Sequence, residues 1–341
     1  MTDLTIRGAG IFGLSIAWEA TLRGAQVTLI DPHGPGAGSS GGIVGALAPH
    51  VPENWNPKKA FQLDSLLMAE GFWAAVAEAG GADPGYARTG RLQAIADDAG
   101  LVLARRRAQT ARDLWGDHAR WEVTSDTPDW APVSATGYTI FDTLSAHLHP
   151  RRACDALVAA LATKGVRVTP DGPERGIVID ATGAAGLHRL AAAHSRSMGA
   201  GVKGQAALLA HDARGLPQLF ANAVHIIPHL DGTVAIGSTS EREFTDLETD
   251  AQLDGVIATA RAAVPALREA QIIDRWAGIR PRARTRAPML GPDPFRPGHF
   301  IANGGFKIGF GMAPKVATTM VDLILEGRDT IPEGFRLEDN L

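Results

Sequence analysis

The hexapeptide Gly8-Ala9-Gly10-Ile11-Phe12-Gly13 stands between a short β-prone run, Leu4 to Arg7, and a stretch of helix formers, Leu14 to Arg23. A GxGxxG spacing in the order strand, loop, helix constrains this chain more than any other feature, because each glycine answers a separate steric demand. Gly8 permits the tight turn, Gly10 lets backbone come close to a pyrophosphate, and Gly13 lets the helix pack closely on the strand. The helix N-terminus then offers free N–H groups and a partial positive charge to phosphate oxygens. Gly24 reads as the helix C-cap and Gln26 to Asp31 as a buried second strand. Asp31 follows Gly10 by 21 residues, where a strand-end carboxylate accepts hydrogen bonds from a ribose diol and disfavours a 2′-phosphate. These residues predict a dinucleotide-binding βαβ unit. The motif disfavours NADP and does not by itself separate NAD from FAD.

Beyond it, Pro32 to Gly45 is rich in Gly and Ser and reads as an extended loop. Helical spacing predicts helices over Lys58–Ala79, Leu101–Trp115 and Ala153–Thr163, the last ended by Gly165. Val166–Val168 and Ile177–Ala181 look like parallel-sheet strands. From Gln205 to Gly237, β-rich runs broken by Gly, Pro and Asp suggest an antiparallel sheet instead. Pro314 to Glu326 closes the chain with an amphipathic helix capped by Gly327.

Composition excludes several classes. With 341 residues, 45% hydrophobic and 21% charged, the chain is long enough for two structural units with a large core. A net charge of -4 argues against a nucleic-acid partner, which would call for a basic balance. Cys154 is the only cysteine, so no intrachain disulfide forms, and a cytoplasmic setting is expected. No HExxH or comparable spacing is present and no metal site is expected. Neither a signal-peptide pattern at the N-terminus nor an apolar run long enough for a membrane helix is found, so no membrane insertion is expected.

Four further segments, in this order, resemble the D-amino-acid oxidase family of FAD-dependent flavoproteins, and within it the glycine oxidases. Ser39-Ser40-Gly41-Gly42-Ile43-Val44-Gly45-Ala46-Leu47-Ala48-Pro49-His50 is similar to the family's small-residue loop beneath the flavin. His149-Pro150-Arg151-Arg152 is similar to the segment by which the chain re-enters the FAD domain, with Pro150 suited to a helix start. Asp180-Ala181-Thr182-Gly183-Ala184 resembles the strand-end turn that passes the cofactor. Gly304-Gly305-Phe306-Lys307-Ile308-Gly309-Phe310-Gly311-Met312-Ala313-Pro314 resembles the C-terminal signature, where a helix N-terminus faces the flavin.

The resemblance implies an α/β fold: a Rossmann-type FAD-binding domain with a second, mainly antiparallel β-sheet substrate domain. It implies a discontinuous FAD domain over 1–50, 145–200 and 290–341, and a substrate domain over 51–144 and 201–289. The implied cofactor is non-covalent FAD, since Cys154 matches no flavin-attachment segment. The residues implied to hold it are Gly8, Gly10, Ile11, Phe12, Gly13, Asp31, Ser39, Ser40, Gly41, Gly45, Leu47, Thr182, Gly183, Gly305, Lys307, Ile308 and Gly309.

On the substrate side, Trp276-Ala277-Gly278-Ile279-Arg280-Pro281 closely resembles the family segment that presents an arginine to a substrate carboxylate. His225, opening His225-Ile226-Ile227-Pro228, stands where the family usually has a tyrosine that helps to hold the substrate. Lys307 stands where the glycine oxidases carry an arginine, a cation that would stabilise reduced flavin or promote reaction with oxygen. Arg282, Arg284 and Arg286 continue an alternation from Arg280 that on an extended segment would suit a second anionic group, although Pro281 and Pro288 suggest a loop. His50 reads as a packing or loop-bonding residue.

The expected activity is oxidation of a small amine or amino acid by hydride transfer to flavin N5, giving an imine that hydrolyses. Two alternatives stand beside it: a flavin dehydrogenase acting on a 2-hydroxy acid with an acceptor other than oxygen, and a non-catalytic flavoprotein subunit. Homo-oligomerisation is left open.

Overall fold

Leu4, Thr5 and Ile6 are all buried, as a strand flanked by parallel neighbours and covered on both faces requires. In a computed structural model, which describes residues 3–193 and 196–341, this run is β1 (Asp3–Arg7). There follow α1 (Ile11–Leu22), β2 (Gln26–Ile30), β3 (Ala46–Leu47), α2 (Pro57–Gly80), β4 (Arg91–Ala94), α3 (Asp98–Trp115) and β5 (Trp121–Thr124). Next come β6 (Thr139–Asp142), β7 (Ala146–His147), α4 (Pro150–Thr163), β8 (Val168–Thr169), β9 (Ile177–Asp180), α5 (Gly183–Ala193) and β10 (Gly199–Ala210). The chain ends with β11 (Gln218–Ala221), β12 (Val224–Pro228), β13 (Thr233–Gly237), α6 (Ala251–Ala263), β14 (Gln271–Ala283), β15 (Met289–Pro292), β16 (His299–Asn303) and α7 (Gly309–Glu326).

A six-stranded sheet has the order β15-β16-β9-β1-β2-β8, parallel except for β15 on β16. The α1 sequence IFGLSIAWEATL is apolar nearly all round, and nine of its twelve residues are buried, which marks a core helix. It packs with α4 and α7, and α2 packs on the same two helices although it lies within residues 51–144. Leu14, Ile16, Leu47, Trp73, Leu148, Leu157 and Met312 meet in the core so formed.

The second sheet has eight strands in the order β14-β10-β13-β12-β11-β4-β6-β5. Its pairs are antiparallel apart from β11 with β4. Alternation along each strand gives it two unlike faces. Ala207, Leu209, Leu219, Ile226, Val234 and Ile236 face α6 and form an apolar core with its Leu253 and Ile257. The residues between them, Ala206, Phe220, His225 and, on β4 and β14, Arg91, Trp276 and Arg280, line a cavity on the other face.

Several element boundaries differ from the sequence expectation, α3 and α4 each beginning three residues earlier and two others changing the reading. The strand after α4 is Val168–Thr169 rather than 166–168, because Val166 still belongs to the turn that closes the helix. The last helix begins at Gly309, so Pro314 lies inside it rather than at its start. The one backbone bond that proline removes is offset by burial of Met312, Ala313, Val316 and Ala317. The alternating arginines also part company. Arg280 and Arg282 are on β14, whereas Arg284 and Arg286 lie in the exposed turn that follows, Arg286 at φ 63. No helix of the described residues is long and apolar enough to cross a membrane.

Candidate active site

The two sheets share one large cavity of about 1130 Å³. The first wall is the glycine loop. Gly8 has φ +101, and a Cβ on it would stand 2.4 Å from the Ala181 carbonyl oxygen. A Cβ on Gly13 would stand 1.8 Å from Gly8 O, so the helix lies directly on the turn. A Cβ on Gly10 would be 3.2 Å from Ser40 Oγ, which accepts the Ile11 N–H at 2.9 Å. Gly10 has no side chain to cap α1, and Ser40 takes only the Ile11 N–H, so the positive end of the helix dipole is turned to the cavity. Asp31 accepts the Ala9 N–H at 2.8 Å and the His33 N–H at 2.9 Å, one on each oxygen. Each oxygen keeps a lone pair for a hydroxyl donor.

Ser39 and Ser40 line this wall from a short 3-10 turn, and Gly45 joins them. At the end of β9, Thr182 Oγ1 donates to Asp180 Oδ1 at 2.6 Å, and Arg189 donates to both residues, which ties the turn through Gly183. From the C-terminal side come Gly305, Lys307, Ile308 and Gly309, where α7 also begins without a side-chain cap. A Cβ on Gly305 would be 2.9 Å from Phe12 Cζ, so the C-terminal turn is seated on the glycine loop. Three residues expected at the cofactor do not line the cavity. Gly13 packs under the loop, Gly41 faces the Gly36 carbonyl, 2.3 Å from where its Cβ would be, and Leu47 is fully buried in the core.

A dinucleotide suits this cradle. The cavity exceeds the usual range for a small ligand, the N-termini of α1 and α7 meet in it, and a carboxylate lines it at the end of the strand that follows α1.

The opposite wall belongs to the eight-stranded sheet. Arg280 is 8% exposed, its Nη2 donating to Ser238 Oγ at 2.6 Å and both Nη atoms to the Thr239 carbonyl at 3.2 and 3.3 Å. Burial pulls its guanidinium down to about 10, against the opposing influence of Glu241, and it stays charged at neutral pH. Gly204, on the neighbouring β10 strand, makes the space, and Phe306 N–H donates to the Pro281 carbonyl at 2.9 Å, locking the arginine strand to the turn that bears Lys307. Lys307 is held below the usual lysine value by burial and then by the Arg280 charge. His225 packs its ring at 4.8 Å from that of Phe220 and leaves Nδ1 unpartnered. Burial first, then the charges of Arg91 and Lys307, push it down to about 3, so it is a neutral imidazole. His50 also lines the cavity and is bonded to Gln62.

The expected catalytic residues Arg280, His225 and Lys307 therefore share one cavity with the glycine loop. Sequence reasoning missed Arg91, Ser238, Gln62 and Phe220, which also line it. None belongs to a motif, and Arg91 is distinguished only by Asp142, 51 residues away, to which it is bonded. Cys154 donates weakly to the Ser40 carbonyl at 3.7 Å, and burial pushes its thiol up to about 12, which leaves it unreactive. His149, His229 and Asp231 bring ligand atoms within 4.8 Å of one another. Asp231 there is already paired with Arg152 at 3.2 Å and accepts Thr233 Oγ1 at 2.7 Å.

Comparison with known proteins agrees with this geometry. The family model described as DAO, FAD dependent oxidoreductase, matches residues 3–323. Glycine oxidase of Pseudomonas putida is 26% identical over 381 aligned positions, covering 97% of this chain and 98% of that protein. The crystal structure of glycine oxidase from Geobacillus kaustophilus matches with a TM-score of 0.85 at 22% identity, over 99% of both chains. That of L-proline dehydrogenase from P. horikoshii matches at 0.82 and 20% identity, over 99% of this chain and 98% of the other. At these identities the superpositions speak for the fold.

Proposed function

Because the chain belongs to the DAO family of FAD-dependent oxidoreductases, we propose that it oxidises a small amine or amino acid whose carboxylate is held by Arg280. The observation that carries this reading is one buried guanidinium, fixed by Ser238 and Thr239, in the same cavity as the glycine loop. A fork so placed binds a carboxylate through two charge-assisted hydrogen bonds and thereby orients the adjacent Cα–H. In this reading the six-stranded sheet and the loops at its edge hold the cofactor, and the eight-stranded sheet forms the substrate wall.

Gly8, Gly10, Ile11, Phe12, Asp31, Ser39, Ser40, Thr182, Gly183, Gly305, Ile308 and Gly309 would hold FAD, which when bound would supply a two-electron acceptor for the substrate's hydride, the resulting imine hydrolysing in water. The protein supplies position and charge. Asp31 is the sole carboxylate among the described residues lining the cavity, and it is bonded to the glycine loop. His225 is neutral. The substrate amine therefore binds already deprotonated, its proton left in solvent. Imidazole at His225 donates one hydrogen bond to the bound acid, in place of the hydroxyl that a tyrosine would offer. Lys307 contributes positive charge on the flavin side, where reduction develops negative charge.

A second reading has support in the fold. L-proline dehydrogenase shares it, so a dehydrogenase that passes electrons to an acceptor other than oxygen uses the same architecture. One experiment separates the readings. The purified flavoprotein is mixed anaerobically with amines, amino acids and 2-hydroxy acids, the visible flavin band is followed, and oxygen uptake is then measured in air. Bleaching by amines or amino acids supports the proposal, and bleaching by hydroxy acids alone overturns it. Bleaching without oxygen uptake assigns a dehydrogenase. With a single, buried cysteine, we place the enzyme in the reducing cytoplasm.

A further inference from the structure

Arg91 and Arg280 reach the cavity from two well-separated strands of one sheet face, and a single substrate carboxylate needs only one of them. Arg91, on β4, is 6% exposed. Its Nε donates to Asp142 Oδ2 at 2.9 Å across the β4–β6 ladder. Asp142 is wholly buried, and its other oxygen accepts the Ser145 N–H at 2.8 Å. A purely structural arginine–carboxylate pair would turn the two-nitrogen fork onto the acid. Here Nε alone makes the bond, and neither Nη has a protein acceptor among the described residues. The two Nη groups are thus left for the cavity, where an anionic group of a ligand is their strongest partner.

The charge around it points the same way. The wall made by the eight-stranded sheet carries Arg91 and Arg280, with Lys307 adding a third cation from the C-terminal turn. Asp31, the one lining carboxylate among the described residues, is bonded to the glycine loop instead. A substrate carboxylate answers Arg280, and the flavin side answers Lys307. Arg91 lies two strands from His225, roughly 10 Å across the strands at normal spacing, and two residues away along them by register. Its charge is felt at that imidazole. It is left for an anion set several atoms beyond the first.

We propose that the substrate is an amino acid bearing a second carboxylate, on its side chain or on its nitrogen, which the Nη atoms of Arg91 grip beside His225 while Arg280 holds the first. This rests on the amino-acid reading above. It makes Arg91 the residue that sets specificity, and it makes the buried Asp142 the positioning residue that turns the fork toward the cavity.

The test uses the FAD-loaded enzyme and matched pairs: D- and L-glutamate against the glutamines, aspartates against the asparagines, and iminodiacetate against sarcosine. The dicarboxylate of at least one pair is expected to show a kcat/KM ten or more times higher. In the double variant Arg91→Gln, Asp142→Asn, which removes both charges together, that ratio is expected to fall at least tenfold. Equal kcat/KM within every pair, or a preference that survives in the variant, overturns the proposal. A second measurement does not depend on the variant folding. The flavin spectrum of the wild-type enzyme is titrated with glutarate and with butyrate, neither of which carries an amine to oxidise. Glutarate binding at least tenfold tighter supports the site, and equal binding overturns it. Should no amine or amino acid reduce the flavin, the amino-acid reading fails by itself, and the glutarate titration still decides whether Arg91 marks a second anion site.

Discussion

The guanidinium of Arg280 lies across Gly204 so closely that a Cβ built on that glycine would stand 1.7 Å from Nη2. Two strands cooperate here: β14 supplies the charge, and its neighbour β10 supplies the space by having no side chain at Gly204, two residues along from Arg280's register partner Val202. Gly204→Ala is therefore expected to displace Arg280 and raise KM for a carboxylate substrate at least tenfold, with the flavin spectrum intact. Steady-state kinetics on the FAD-loaded variant checks this.

Arg280→Met removes the fork and keeps much of the apolar stem. Loss of two charge-assisted hydrogen bonds at roughly 1.5–3 kcal/mol each corresponds to a fall in kcat/KM of about 100-fold or more. The loss is expected for amino acids and not for the corresponding decarboxylated amines, and comparing the two substrate types on one variant reads it.

Asp31→Ala deletes the acceptor of two backbone amides, at 2.8 and 2.9 Å, and the ribose-facing carboxylate with them. FAD is expected to bind at least tenfold more weakly, and the protein to be purified with less than one flavin per chain. The flavin-to-protein absorbance ratio, followed by titration of the apoprotein with FAD, measures both.

Acid is expected to destabilise the fold through two fully buried histidines outside the site. Burial holds His147 at about 4 and His229 at about 3, both below the ordinary histidine value. Each is neutral in the native state and protonated in the unfolded chain between its native value and about 6.5. Stability from each is therefore complete above about pH 6.5 and is lost as pH falls toward the native value. At pH 5 the loss is about 2 kcal/mol per histidine. Thermal melts are expected to show a Tm several degrees lower at pH 5 than at pH 7, and His147→Leu, which removes one titrating ring, is expected to reduce that difference.

Much of this was legible without coordinates where chemistry and chain order coincide. The glycine loop, α1, β2 and Asp31 form one contiguous unit, so steric demand and spacing predicted them together. Arg280 was legible because the residues around it form a recognisable run. Arg91 was not. It is one arginine on a short strand, and its significance comes from a carboxylate 51 positions away and from its place in a sheet where four strands separate β4 from β14. Gly13 and Leu47 show the reverse case, since a motif position need not be a cavity position. Gly13 serves helix packing, and Leu47 alternates inward from Ala46 and Ala48, which do line the cavity.

The amino-acid sequence by itself determined the dinucleotide-binding unit, the two kinds of sheet and the FAD-dependent family. These depend on local rules: glycine sterics, alternation along strands, and short runs that carry their own context. Tertiary structure alone decided that α7 begins before Pro314, that Gly204 leaves room for Arg280, and that Arg91, His225 and Lys307 share one cavity with one lining carboxylate. The physical reason is that charge and volume act through space. Strands far apart in sequence become neighbours on a sheet face, and that adjacency sets which donors are left unmet and which substrate they select.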